Sequence, residues 1–141
     1  NSRLDGLQAA VLSVKSKYIL EWTESRIQNA KKYYELLDGV NEIVLPAVRA
    51  NTKHTYHLFV IRTNQRDELA VHLKEMGIGT AIHYPTALPN LPAYSYLGHS
   101  PNDFPVSTDF QGKILSLPMY PELSTEMIEY VAAAIKAFFK R

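Results

Sequence analysis

An α+β fold, a small sandwich with helices on one face of a mostly antiparallel sheet, is what this sequence predicts, and three patterns carry the prediction. Apolar residues recur every three or four positions from Leu4 to Leu37, again from Leu69 to Met76, and again from Ile128 to Phe139, the period of helices facing a core. Between the first two runs, Tyr56 to Thr63 alternates residue by residue among strong strand formers. Turn and stop residues separate these runs into the order α–β–β–α–β–(loop, α)–β–α.

The first run holds Leu4, Leu7, Ala10, Val11, Val14 and Tyr18, then shifts phase through Trp22, Ile27, Ala30, Tyr34 and Leu37. It predicts one long helix over 4–38, or two helices joined by a kink near Tyr18–Thr23. Asp5 falls in the first turn, where a negative charge suits the helix dipole, and Gly39 is the natural stop. Glu21, Glu24 and Arg26 are expected on the solvated face. Residues 42–45 and 55–63 read as strands, joined through Pro46 and a polar stretch over 49–53. In the second strand Tyr56, Leu58, Val60 and Arg62 fall on one side and His57, Phe59, Ile61 and Thr63 on the other. Asn64 is placed to cap a helix over 65–76, with Asp67 resembling the far half of a capping box and Gly77 ending the helix.

Residues 79–83 then read as a short strand. Pro85, Pro89, Pro92, Pro101 and Pro105 come next, with Gly98 among them, and mark a long irregular region with one helical turn over 93–97. Loops of this length inside a compact domain are often functional. A short helix over 106–112 leads into a buried strand, Ile114 to Leu117, stopped by Pro118. Ser124 caps the last helix, whose buried stripe is Ile128, Val131, Ala132, Ile135, Phe138 and Phe139. The whole chain, 1–141, is one domain, with the sandwich over 40–139.

Composition removes several function classes. The 141 residues carry fifteen basic against fourteen acidic side chains, too balanced for the clustered basic surface that nucleic acid requires. Lys31-Lys32 and Lys140-Arg141 read as solvated helix faces. With no cysteine, a disulfide framework, a cysteine-ligated metal and a thiol nucleophile are excluded, and a cytoplasmic location is the expectation. No apolar run is long enough to span a bilayer. The chain opens at Asn1, one step before a helix and without an initiator Met, which reads as a piece of a larger protein.

Five histidines raise the question of a metal or a base. His54 and His57 fall on opposite faces of a strand start, His72 on a helix and His99 in a loop. No pair has ligand spacing, so a metal site is not expected. His57 fits a hydrogen-bonded structural role. The segment Gly77-Ile78-Gly79-Thr80 is no phosphate loop: it lacks a third glycine and precedes a strand. A nucleophile elbow is absent, and the aromatic residues are scattered rather than set as a stacking platform. His83 differs by context. It ends a strand at the mouth of the long loop, where sites are commonly built; Tyr84 adds a phenol and Pro85 stiffens the backbone behind it. The alternative is that both pack as a rim.

Several blocks together resemble one family: Asn1 to Leu12, Glu21-Trp22 with Arg26, Ala30 and Tyr33-Tyr34, Tyr56 to Arg62, Arg66-Asp67, Gly77 to Thr80 with His83-Tyr84-Pro85, and Leu115 to Pro121. In order and spacing they are similar to the C-terminal part of DegT/StrS-type sugar aminotransferases. The resemblance implies the small C-terminal domain of the aspartate-aminotransferase (type I) fold, from a pyridoxal 5'-phosphate enzyme that is usually a homodimer. Such enzymes move an amino group from glutamate to a keto group of a nucleotide-linked deoxysugar, work that serves polysaccharide and deoxyamino-sugar biosynthesis. The large domain that carries the Schiff-base lysine would lie upstream of Asn1, so the resemblance implies no catalytic residue in this chain and no cofactor bound by it alone. Carried over by position, Asn1 matches an asparagine that reaches the cofactor phosphate of a neighbouring subunit, and His83 and Tyr84 match a pair on the substrate side. Arg3 is expected to pair with Asp5 or another acid.

One departure bears on the substrate. Relatives acting on 3-keto sugars continue this motif with a further His and Gln, where this chain has Pro89 and Leu91. Two other readings stay open: a free-standing ligand-binding module, and a sensor or dimerisation domain without catalysis. Isolated from a large domain, the first helix and the 85–105 loop would present apolar faces and promote self-association.

Overall fold

The computed structural model describes residues 3–140. Two helices, α1 (Gly6–Lys15) and α2 (Ile19–Leu37), are joined by a 3₁₀ turn at Ser16–Tyr18. Strand β1 (Phe59–Arg62) and helix α3 (Arg66–Glu75) come next. A loop with three short 3₁₀ turns leads to α4 (Pro105–Gln111), then to β2 (Ile114–Leu117) and α5 (Thr125–Phe139). Asp5 does more than complement the dipole. Its side chain accepts from the Gln8 N–H at 2.8 Å, and the Gln8 side chain accepts from the Asp5 N–H, a complete capping box. That engagement leaves Asp5 as a cap; no Arg3–Asp5 ion pair occurs among the described residues.

The sheet is antiparallel, with Phe59 opposite Leu117 and Arg62 opposite Ile114. The two outer segments are thinner than the sequence suggests. Residues 42–45 touch β1 only through a Val44–Arg62 bridge, and residues 79–83 touch β2 only through an Ala81–Ser116 bridge. The 55–63 strand also starts late. Tyr56 sits at a φ of 49°, and its N–H donates to Nδ1 of His54 at 2.9 Å, so the backbone turns before it extends.

Alternation sorts the two faces of the sheet. Phe59, Ile61, Leu115 and Leu117 are all buried on one side. They meet Ala30, Tyr33 and Leu37 of α2, Leu69 and Leu73 of α3, and Ile128 and Ile135 of α5 in one core. Tyr33 stacks on Phe59 with centroids 4.9 Å apart and donates its hydroxyl to the Pro118 carbonyl at 3.0 Å. The opposite face carries Val60, Arg62, Ile114 and Ser116, and no long helix lies on it. The long helices α2, α3 and α5 gather on one face, while Phe110 of α4 lies over Arg62 on the other.

Two smaller expectations change. Asn64 does not cap α3; the N-cap is Gln65, whose N–H donates to Thr63 Oγ1, while Asp67 pairs with Arg66 at 2.6 Å. Arg26 is half-buried rather than on the outer face, because its position lies three to four residues before Asn29 and Ala30 on the buried stripe. The large apolar residues of α1 are all exposed. Ser124 caps α5 by accepting from the Met127 N–H at 3.3 Å, and Gly77 ends the 66–75 helix at a φ of 75°.

Candidate functional site

The site grows from the second face of the sheet. Residues 79–83 leave Ile78, buried under the end of α3, and run beside β2. The Ala81 and Ser116 backbones exchange hydrogen bonds at 3.2 and 2.8 Å. That single bridge sets the register of the next residues in the segment. His83 emerges on the same face as Ser116, and its Nδ1 lies 2.9 Å from Ser116 Oγ. Ser116 is only 4% exposed, so its hydroxyl is a fixed partner rather than a mobile one. With Nδ1 occupied, Nε2 is the ring nitrogen left for a ligand, as donor or acceptor according to the tautomer. Tyr84 follows across a cis peptide with its ring edge-on to the imidazole, centroids 5.8 Å apart, and is 74% exposed. A phenol and an imidazole thus stand side by side at an open surface.

The proline-rich loop beyond them is held from inside. Gln111, at the end of α4, accepts from the Ala87 N–H at 2.7 Å, and Asn90 donates to Thr108 Oγ1 at 3.0 Å. Arg66 reaches from α3 to the same corner, donating from Nη1 to the carbonyls of Gln111 at 3.3 Å and Ile114 at 3.4 Å. A nearly buried guanidinium therefore pins the loop's return to the strand that carries Ser116. Further out, Leu88, Pro89, Tyr94, Leu97, His99 and Phe104 line an apolar hollow of about 290 Å³. A larger groove of about 540 Å³, next to Gly79, Tyr120 and Tyr130, lies at the other end of the 79–83 segment, away from His83.

Of the residues singled out from sequence, His83 and Tyr84 are brought together; Asn1 lies outside the described residues. His54 serves the turn at Tyr56, His72 lies against the Ala134 carbonyl of α5 at 3.3 Å, and His99 lies 4.0 Å from Asp103. Among the described residues no group of acidic and histidine side chains could hold a metal ion. Ser116 was missed. The signal was a lone hydroxyl in the otherwise aliphatic run Ile114-Leu115-Ser116-Leu117, which must find a partner when buried.

A pyridoxal phosphate site needs a lysine amine shielded from water beside a ring-sized cavity. All nine lysines here are exposed or half-exposed; Lys53 pairs with Glu24, Lys113 with Asp109, and Lys32 binds Thr125. The described residues do not fit a complete cofactor site.

The chain is thus an α+β domain whose sheet carries a serine-tethered histidine beside a buttressed loop. It superposes on S. venezuelae DesV, solved in complex with a ketimine intermediate, with a TM-score of 0.92 at 35% identity over 100% of this chain and 38% of that one. The chain belongs to the DegT/DnrJ/EryC1/StrS aminotransferase family, whose model matches residues 1–136. It is 44% identical to the erythromycin biosynthesis sensory transduction protein EryC1 of Saccharopolyspora erythraea, over 97% of this chain and 37% of that protein. It is 36% identical to the dTDP-3-amino-3,4,6-trideoxy-alpha-D-glucose transaminase of Streptomyces venezuelae, over 100% of this chain and 37% of that protein. The chain thus spans little more than a third of the length of the relatives it matches. Among the described residues no helix is long and apolar enough to cross a membrane.

Proposed function

We propose that this chain is the small C-terminal domain of a pyridoxal-phosphate aminotransferase that passes an amino group from glutamate to a keto group of a nucleotide-linked sugar. In this reading it supplies substrate contacts from His83 and Tyr84, and the surface of α1 meets the large domain or a second subunit. The observation that carries it is the Ser116-held His83 ring, 2.9 Å from the hydroxyl, standing beside exposed Tyr84 in a family of aminotransferases. A tethered imidazole loses less freedom on binding than a loose one, which is what a substrate contact requires. The tyrosine hydroxyl adds a donor or acceptor for a sugar oxygen. In this reading the amine-transferring group and the Schiff-base lysine belong to the part of the protein upstream, and Asn1, outside the described residues, is the candidate contact for the cofactor phosphate of a neighbouring subunit. The transaminase relative supports a nucleotide sugar as the acceptor.

A second reading, a sensor without catalysis, is favoured by the name of the sensory transduction relative, 44% identical to this chain. One experiment separates the two. The full-length protein is purified, its cofactor absorbance recorded, and any imine trapped with borohydride before peptide mapping. A labelled lysine upstream of Asn1, together with glutamate-dependent loss of the imine band, supports the aminotransferase. Absence of both, in folded protein supplied with cofactor, rejects it in favour of the sensor.

A further inference from the structure

The second face of the sheet holds one more group that the fold does not consume. Phe59 and Ile61 point into the core, so Val60 and Arg62 fall on the His83 side. The pairings Val44–Arg62 and Arg62–Ile114 place these residues in one cross-sheet row. His83, with Nδ1 2.9 Å from Ser116 Oγ, stands on this same face beside the Val60–Ser116 pair, which neighbours the Arg62–Ile114 pair along the strands. Arg62 and His83 therefore share one face of the sheet, with Ser116 and Ile114 between them.

Arg62 is half-buried, with the centre of its guanidinium 4.1 Å from the centroid of the Phe110 ring. Among the described residues it has no carboxylate partner and its side-chain N–H groups donate to nothing. The acids on neighbouring elements are committed elsewhere: Asp67 to Arg66 at 2.6 Å and Asp109 to Lys113 at 2.6 Å. Stacking on an aromatic ring uses the face of the guanidinium and leaves its in-plane fork of donors open. Stacking of this kind is weak, so it orients the group without neutralising it. A half-desolvated, oriented and unpaired cation is a receptor for an oxyanion.

We propose that Arg62 binds an oxyanion of the substrate, a carboxylate or a phosphate, while His83 contacts the same substrate from the Ser116 side of that face. This rests on the reading that His83 meets substrate. Both substrates of that reading carry oxyanions: glutamate has carboxylates, and a nucleotide-linked sugar has a diphosphate. Phe110 then acts as a positioning residue that keeps the guanidinium flat against α4 and its fork outward.

The test uses the full-length protein with Arg62→Gln, Arg62→Lys and His83→Asn, and the probes L-glutamate, dTDP and UDP. The glutamate constant is read from loss of the imine band, and the nucleotide constants from calorimetry. Loss of a charge-assisted pair predicts that Arg62→Gln weakens glutamate or the nucleotide diphosphates, and not both, by about ten-fold or more. A glutamate effect identifies a carboxylate; a nucleotide effect identifies a phosphate. Arg62→Lys recovers only part of the loss, because a point charge does not replace the planar fork. If Arg62→Gln does not fold, Arg62→Lys carries the test through a loss of at least about three-fold against one class of probe. Wild-type constants for all three probes in a folded variant overturn the proposal. If His83→Asn shifts a constant and the Arg62 variants do not, this inference fails while the substrate-contact reading stands. If no variant shifts any constant, both fail.

Discussion

Replacing Tyr33 by Phe removes one oxygen from the centre of the domain and leaves everything else in place. Tyr33 is fully buried, its hydroxyl donates to the Pro118 carbonyl at 3.0 Å, and its ring stacks on Phe59 at 4.9 Å. The variant loses that hydrogen bond but keeps the stack. Because Pro118 is half-buried, water can reach its orphaned carbonyl in part, which puts the cost near the middle of the usual range, about 1–1.5 kcal/mol. Tyr33→Leu also forfeits the aromatic pair and opens a cavity, raising the cost to about 3 kcal/mol. Burial, with a smaller contribution from Tyr120, pushes the Tyr33 phenol well above its ordinary value. The sign of the pH dependence is set by that shift. Above about pH 10 the unfolded chain gives up this proton while the folded chain keeps it, so stability falls as pH rises. Tyr33→Phe has no such proton, and its deficit against wild type should narrow between about pH 9 and pH 11. Urea titration of the 141-residue chain by circular dichroism at several pH values measures both effects. A variant within about 0.3 kcal/mol of wild type at pH 7, or a deficit that does not narrow in alkali, would refute the assignment of Tyr33 as a buried donor.

Three further outcomes are expected. Arg66→Met keeps the aliphatic stem but leaves the Gln111 and Ile114 carbonyls without their donor. It should cost about 2–3 kcal/mol in urea and speed amide exchange at Ala87, whose N–H is held by Gln111; unchanged exchange would break that link. Ser124→Ala removes the cap of α5 and should lower stability by about 1 kcal/mol, read as a shift in thermal midpoint, with Ser124→Thr near wild type. Leu7→Lys with Val14→Lys places charge on the exposed stripe of α1. The unsubstituted chain is expected to self-associate in sedimentation velocity and the double variant to shift toward monomer; identical profiles would count against that stripe as the sticky surface.

What the sequence disclosed depends on where each residue finds its partner. Helices α3 and α5 were legible because their periodicity and boundary residues, the stop at Gly77 and the cap at Ser124, act within a few residues. The outer strands were overdrawn because β-propensity measures fit to a pleated surface and says nothing about how long a neighbour stays alongside. Tyr56 illustrates a local exception: a strand former turned to positive φ by the His54 ring two residues back. His83 and Tyr84 could be chosen by context, since a strand end before a proline-rich loop is visible in one dimension. Ser116 showed only as a lone hydroxyl in an aliphatic run and Arg62 not at all, because their partners, His83 and Phe110, lie 33 and 48 positions away in the chain. Arg26 was placed outside for a related reason. A charge on a helix is read as solvated until packing shows its turn facing inward, and here its Nε is buried without a partner among the described residues.

The thin margins of the sheet have a consequence for how this chain meets copies of itself. Each outer segment is tied by one bridge and is followed within a few residues by a proline, Pro46 on one side and Pro85 on the other. Neither margin offers the run of unpaired amides that templates strand-on-strand growth, and proline removes a donor where such growth would continue. Crowded molecules of this chain are thereby steered away from fibril-like stacking, leaving exposed apolar surface such as the α1 stripe as the ground on which copies meet.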